Sequence, residues 1–423
     1  MIRDEFGNIN IMVIGYGGEK HQWWYLADSI IVASRNPELW AITMVSTPRD
    51  LVIYNKEESV FGRINQVFSR ALGRKLEYET WARVMSEQLT KITGLTIPYY
   101  VLLDFQGFED IINTLGGVDI NVAKPLTDTT YPDRQRGIMT FKVNSGMNHF
   151  SGETALMYAR SRHSTSDFDR SLRQQQILKA VKEKLISQIT SPSKIKQLYT
   201  DYTRIVKTNI TLDEMIGLAQ YADNMKHMFS FGFTTECSMF AYKLSHPGCF
   251  LYTPNRDLFG WASVILPIGS DNINPSYYDY TRNFVYYVAH NQQYLIDNAN
   301  IVMRNGIDKN YTKQLWMKNE SYATQLAVKL KKYAFKVQDV KNAPQAISGT
   351  IAYIVSTGNM DWTIERLKTF LPIDQIINVS ENITGVDLSE EFYQQQLSGT
   401  DIILDLGNTY LNYLQSKTFN YYR

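Results

Sequence analysis

Cys237 and Cys249 are the only cysteines in a chain of 423 residues. Two alone imply neither a disulfide scaffold nor a cysteine-bound metal. Standing twelve residues apart, they leave open one small disulfide loop or a pair of buried thiols. Net charge is equally scarce, with 43 basic side chains against 42 acidic ones. A general nucleic-acid binder carries a visible basic excess, so anion chemistry here must come from local clustering. No run approaches the roughly 18–20 apolar residues of a membrane span, and Met1–Gly7 carries no signal-peptide pattern. A Gly-x-Ser-x-Gly elbow, a Walker loop and a His-Glu-x-x-His motif are absent, and Gly15–Gly18 does not fit a dinucleotide fingerprint. His21 and His163 lack a second histidine at metal spacing and read as structural. There is no fixed-period repeat and no low-complexity tract.

What the chain does have is alternation of strand and helix patterns. Asn8–Ile14 is a short apolar run closed by Gly15-Tyr16-Gly17-Gly18. Ser29–Ser34 and Trp40–Val45 are β-rich runs about the turn Arg35-Asn36-Pro37-Glu38, which suits antiparallel neighbours. Glu79–Thr93 spaces Trp81, Val84, Met85, Leu89 and Ile92 as a helix that stops at Gly94. Ile97–Asp104 reads as a strand, Gly107–Leu115 as a short helix and Val118–Val122 as a strand. Ala123–Asn148, with Pro125, Pro132 and Gly137, reads as a polar loop long enough to be a functional excursion. A long helix follows, with Asp167 or Asp169 as its cap and Leu172, Leu178, Val181, Leu185 and Ile189 as its apolar stripe, ending at Pro192. Leu212–Ala222 and Tyr278–Asn298 read as helical and Gly248–Pro267 as extended. The pattern restarts near Ala299: strands at Asn300–Met303, Phe335–Val340, Thr350–Val355 and Thr400–Leu406, and helices at Ser321–Tyr333 and Trp362–Phe370. The expectation is an α/β protein with a helix-covered sheet, residues 1–298, and a second small α/β domain, 299–423.

Four arginines fall in fourteen residues: Arg160, Arg162, Arg170 and Arg173. On an extended segment Arg160 and Arg162 point to one side. Arg170, Arg173 and Gln174 stand at i, i+3 and i+4 and share one face of a helix's first turns, where free N–H groups and the dipole favour an anion. The guanidinium fork matches phosphate oxygens. The alternative is a solvated face paired with Asp167 and Asp169. Asp28, at the mouth of a strand, suits a metal ligand or a turn. Arg49-Asp50 follows a buried-looking strand through Pro48, a common place for a site, although read alone such a pair is more often a local ion pair.

Taken in order, Asn10–Gly15, Asp28-Ser29-Ile30, Ser46-Thr47-Pro48-Arg49-Asp50, Asp104-Phe105-Gln106-Gly107-Phe108, Leu115-Gly116-Gly117-Val118, Gly152-Glu153-Thr154-Ala155-Leu156 and the arginine segment to Gln174-Gln175 resemble the LytR–CpsA–Psr (LCP) family of cell-wall glycopolymer transferases. The match covers about residues 8–190, and 299–415 resembles the small C-terminal domain often joined to them. The resemblance implies a central mixed β-sheet flanked by helices, an α-β-α sandwich, with a hydrophobic tunnel for a polyprenyl chain. It implies transfer of a glycopolymer from a polyprenyl-pyrophosphate carrier to a peptidoglycan hydroxyl; a prenyl-pyrophosphatase and a non-catalytic lipid-pyrophosphate binder are the alternatives. By motif, Asp28 is similar to a family aspartate that holds magnesium, and Arg49, Arg160, Arg162, Arg170 and Gln174 to its pyrophosphate ligands, with Arg173 adjacent. Gly17 stands where the family commonly has a second aspartate, a departure that leaves the second metal ligand or base open, with Asp50 and His21 as the residues that could substitute. The resemblance also implies the outer face of the bacterial membrane, reached through an N-terminal anchor that lies outside this sequence. The C-terminal domain, lacking clustered acids, histidines or arginines, is expected to bind wall or partner rather than to catalyse.

Overall fold

A computed structural model describes residues 1–18, 26–55, 60–67, 77–133, 137–161, 167–188, 196, 199–200, 202–203, 205–222, 225–233, 235, 250–271, 274, 276–315, 317, 321–379 and 399–420. The described residues divide into two compact units, one formed by those up to His290 and one by those from Asn291 onward.

The first unit opens with β1 (Ile9–Tyr16), β2 (Ala27–Asn36) and β3 (Ala41–Ser46), then the hairpin β4 (Val52–Asn55) and β5 (Val60–Arg63). Helix α1 (Tyr78–Thr93) leads to β6 (Tyr99–Asp104) and α2 (Phe105–Thr114). Next come β7 (Val118–Val122), β8 (Leu126–Pro132), β9 (Ile138–Val143) and β10 (Gly146–Phe150), then α3 (Gly152–Arg160) and α4 (Asp167–Gln188). β11 (Lys207–Thr208), α5 (Leu212–Ala222), β12 (His227–Gly232), the short β13 (Leu251–Tyr252) and β14 (Leu266–Pro267), and α6 (Asp279–Val285) follow.

Six strands form one mixed sheet in the order β11-β6-β1-β2-β3-β12. β2 runs antiparallel to β1 and β3, as the Arg35–Glu38 turn requires, while β6 lies parallel to β1 and β12 parallel to β3. Met12, Ile14, Ile31, Val32 and Val45 are almost wholly buried, which suits a central sheet covered on its faces. The five apolar residues that mark α1 in the sequence are all buried, each worth roughly 1.5–3 kcal/mol relative to exposure. Gly94 ends the helix at φ 77°, its N–H donating to Thr90 O at 2.8 Å.

Three expectations change. Ala123–Asn148 is not a loop: β8 and β9 pair as a hairpin, and β10 pairs with β7. Leu126, Tyr131, Phe141 and Val143 turn inward to join Ile177 and Ala180 of α4 in one core cluster. Arg160, expected on an extended segment, is instead the last residue of α3, whose N-cap Ser151 accepts from Thr154 N. Tyr278–Asn298 is helical but broken, with α6 and the separate turn α7 (Gln293–Asp297).

The second unit has strands β15 (Asn300–Asn305), β16 (Lys336–Asn342), β17 (Ile351–Ile354), β18 (Gln375–Asn378) and β19 (Ile402–Leu406), in the sheet order β16-β15-β19-β17-β18. Helices α8 (Tyr322–Lys332), α9 (Asp361–Leu367) and α10 (Thr409–Asn420) accompany it. α7 belongs with this unit: Tyr294 Oη donates to Tyr333 O at 2.6 Å, and Asp297 accepts from Thr363 N at 2.8 Å. The division therefore falls a few residues before the expected 298/299 boundary. At mid-sheet the buried Arg304 donates through Nε and Nη2 to the two oxygens of Asp405 on the adjacent strand.

Candidate functional site

β1, β3 and β6 end, and β2 begins, at the same edge of the first unit's sheet. In an α/β sheet this is where chain turns present polar groups to a ligand. Gly15 pairs with Ser29 and Tyr16 with Ala27, so Asp28 is the extra residue of a β-bulge. A bulge re-aims the side chain it carries. Asp28 accepts from Arg49 Nη1, and both side chains are about one-quarter exposed. Arg49 follows β3 through Pro48, with its carbonyl accepting from Asn65 N at 3.1 Å. Its Nε lies 3.7 Å from Asp50, and Asp50 in turn accepts from Arg63 Nη1 at 3.3 Å. Arg63, brought back beside Val52 by the β4–β5 hairpin, thus extends an alternating Asp28–Arg49–Asp50–Arg63 chain.

Helix α4 is fastened to this edge by two glutamines. Ser29 Oγ donates to Gln174 Oε1 at 2.9 Å, and Gln174 Nε2 donates to Ala159 O at 3.4 Å. Gln175 Nε2 donates to Ser46 Oγ at 2.9 Å and Phe231 O at 3.0 Å, tying the helix to β3 and β12. One turn before Gln174, Arg170 is only 6% exposed. That burial is inconsistent with a solvated charged face. Arg173, also 6% exposed, donates from Nε to Tyr158 O at 2.9 Å and from Nη2 to Ser161 O. Burial lowers its pKa from the usual arginine value. Its guanidinium therefore turns to the backbone at the end of α3, although the sequence spacing puts it on the face of Arg170 and Gln174.

Arg160 lies over two rings, its Cζ 4.3 Å from the Phe105 centroid and 5.9 Å from that of Tyr131. Its Nη1 also donates to Tyr131 Oη at 3.4 Å. Burial raises the Tyr131 pKa, an effect the neighbouring Arg160 charge partly offsets. The next residue, Ser161, donates from Oγ to the buried Asp128 at 2.6 Å.

The fold thus links Asp28, Arg49 and Asp50 to Arg160 and Gln174 through one run of contacts: Arg49 to Asp28, then Ser29 to Gln174, then Ala159 beside Arg160. Arg170 joins by helical position. Arg162, His21, His163, Cys237 and Cys249 lie outside the described residues. Gly17 is buried at the end of β1, beside Gly18, whose φ is +78° and where a Cβ would come within 2.9 Å of Asp104 Cβ. Asp104 Oδ1 caps α2 by accepting from Gly107 N at 2.6 Å. Among the described residues no three histidine, cysteine or carboxylate side chains gather as a metal cage. Arg63, Asp128 and Tyr131 lie outside the motifs read in the sequence, and Phe105 and Ser161 lie within them without an assigned role. Each meets its partner only through the tertiary fold.

Curated relatives were found over about half of the chain. The teichoic acid transferase TagV of Bacillus subtilis is 31% identical over 198 residues, 46% of this chain and 47% of TagV. TagU of Bacillus mycoides, also named a polyisoprenyl-teichoic acid–peptidoglycan teichoic acid transferase, is 27% identical over 218 residues, 51% of this chain and 65% of TagU. The chain therefore spans about half to two-thirds of the length of these relatives. The crystal structure of B. subtilis TagV aligns with a TM-score of 0.49 at 23% identity, covering 67% of this chain and 97% of that one. Residues 2–242, which contain the sheet edge, the bulge at Asp28 and the Arg160–Gln174 segment, fit the LytR_cpsA_psr family, and the chain belongs to that family.

Proposed function

We propose that the first unit moves a glycopolymer from a polyprenyl-pyrophosphate carrier to a peptidoglycan hydroxyl. The observation that carries this reading is Gln174: its amide joins the strand bearing Asp28 to the helix bearing Arg160, so one small region gathers a guanidinium-rich anion site. Arg160 and Arg162 hold one phosphate, while Arg170 and Gln174 hold the other, with Arg49 at the rim. Fixed positive groups then oppose the charge that builds on the phosphate oxygens in the transition state. The acceptor oxygen bonds to the phosphorus bearing the glycan, the bond from that phosphorus to the bridging oxygen breaks, and polyprenyl phosphate leaves with the electron pair. The hydroxyl proton passes to a carboxylate, for which Asp50 is the candidate in the described network.

Magnesium belongs to the same proposal. It binds through one or two carboxylates together with substrate phosphates and water. A single bulge aspartate, Asp28, fits an ion that arrives with the pyrophosphate better than one caged by the protein. When bound, it supplies further charge neutralisation at the phosphate oxygens. The relatives named above act on polyisoprenyl-linked teichoic acid and peptidoglycan, which supports the substrate classes and a place at the outer membrane face. No helix among the described residues is long and apolar enough to cross a membrane. Binding of wall or partner falls to the second unit.

The test is incubation with a synthetic prenyl-pyrophosphate-linked glycan, with and without peptidoglycan oligomers, followed by mass spectrometry. A glycan joined to the oligomer by a phosphodiester supports transfer. Release of glycan phosphate into water makes the protein a hydrolase, and tight binding without turnover makes it a carrier-binding protein.

A further inference from the structure

The β8–β9 hairpin reaches the clamp from outside the arginine segment, and it does so on both sides of an irregularity in its own pairing. Asp128 pairs with Phe141 and Tyr131 with Met139, so the register shifts between them. Thr130 N donates to Asp128 Oδ1 at 3.1 Å, folding the backbone tightly through the shift. As a result Asp128 and Tyr131, three positions apart, both turn inward and meet consecutive residues at the end of α3. Tyr131 meets Arg160, and Asp128 meets Ser161.

From the other side, Arg173 of α4 donates to the carbonyls of Tyr158 and Ser161. Ser161 is thus held twice, by its hydroxyl from the hairpin and by its carbonyl from α4. Its backbone has left the helix, at φ −55° and ψ 134°, while its N–H still donates to Met157 O. Asp128 and Ser161 are each 1% exposed, and the Arg173 guanidinium is turned onto two backbone carbonyls, so none of the three is placed to meet a ligand from solvent. A buried carboxylate is tolerated only when its hydrogen bonds are made. Here one oxygen is satisfied within the hairpin by Thr130 and the other by Ser161, in the segment that must hold still.

We propose that Asp128, Ser161 and Arg173 are positioning residues that fix the Arg160–Ser161 corner, and that the β8–β9 hairpin serves as the arm that preorganises the first half of the pyrophosphate clamp. Arg173 is assigned to this support and not to the phosphates. The inference rests on the reading of the clamp as a lipid-pyrophosphate site. A guanidinium displaced by about 1 Å loses much of its value to a bound anion or transition state. Support of this kind therefore appears in affinity for pyrophosphate before it appears in folding.

The experiment measures binding of geranylgeranyl pyrophosphate in detergent micelles to the full chain, with thermal unfolding recorded for each variant. Ser161→Ala is the mildest probe, since it removes one hydroxyl and leaves the carbonyl that Arg173 holds. Its affinity should fall about tenfold, with the unfolding midpoint held within a few degrees. Asp128→Ala should lose at least as much. Asp128→Asn, whose amide can serve both Thr130 N and Ser161 Oγ, should restore affinity to within about threefold of the parent. Phosphate-free geranylgeraniol should bind all variants alike, because the effect is on the anion site. If folded Ser161→Ala and Asp128→Ala both bind like the parent while Arg160→Ala does not, the positioning role is wrong and the clamp stands. If the parent itself fails to bind the pyrophosphate above the alcohol, both fall together.

Discussion

Ser29 and Gln174 are separated by 145 positions in the chain, yet the serine hydroxyl donates to the glutamine carbonyl at 2.9 Å. This contact sets the distance between the Asp28 bulge on β2 and the arginine-bearing turn of α4. Gln174→Ala should weaken prenyl-pyrophosphate binding by about tenfold to a hundredfold, since it removes a proposed phosphate donor together with the tie between strand and helix. Ser29→Ala, which cuts only the tie, should have a smaller effect in the same assay. Equal and negligible effects from both would remove Gln174 from the site.

Arg160 supplies the second prediction. Its guanidinium lies over the Phe105 ring and near Tyr131, a contact suited to a delocalised, weakly hydrated cation. Arg160→Lys keeps the charge but loses both the fork and the stack, so it should behave much more like Arg160→Ala than like the parent. Titration with geranylgeranyl pyrophosphate would read this directly. Near-parental affinity in the lysine variant would mean that Arg160 acts only as a point charge.

The frame of the first unit is legible in the sequence because its rules are local. β2 and β3 are marked by β-branched runs about a proline turn, and α1 by its spacing and by Gly94. The β8–β9 hairpin is not legible in the same way. Pro125, Pro132 and Gly137 imitate loop punctuation, and the irregularity between Asp128 and Tyr131 breaks the two-residue alternation that would reveal a strand. Gln174 and Arg170 could be grouped from helical spacing alone. The turning of Arg173 toward the carbonyls of α3 could not, because spacing gives the face of a helix but not what another helix presents to it. Asp128 is invisible for a similar reason: a buried carboxylate makes sense only once Ser161 has been folded against it.

The Arg304–Asp405 pair yields a prediction about the second unit alone. Both side chains are below 10% exposed, and the pairing is bidentate. Removing one partner strands the other charge in the sheet, at a cost of about 3–5 kcal/mol. Asp405→Leu and Arg304→Met should each lower the unit's denaturant midpoint strongly, while the double variant should recover much of the loss. Pyrophosphate binding by the first unit should be unaffected wherever both variants remain folded. Additive losses in the double variant would show that the two charges do not depend on each other.

His290 gives stability a predictable dependence on pH. Its side chain is 6% exposed, stacks on Phe6 with ring centroids 3.9 Å apart, and places Nε2 3.1 Å from Asp4. Burial lowers its pKa below the ordinary 6.5, although Asp4 pulls in the opposite direction. In the unfolded chain the imidazole takes up its proton near pH 6.5, whereas in the folded chain it does so only at lower pH. Between those values the unfolded state binds more protons, so stability rises with pH there. The contribution is complete above about pH 6.5 and is lost as pH falls through the lower, folded value. Denaturation series between pH 8 and pH 5 should show this decline, and His290→Gln, which cannot take up the proton, should flatten it. A parent and variant that decline in parallel would assign the acid sensitivity to other groups.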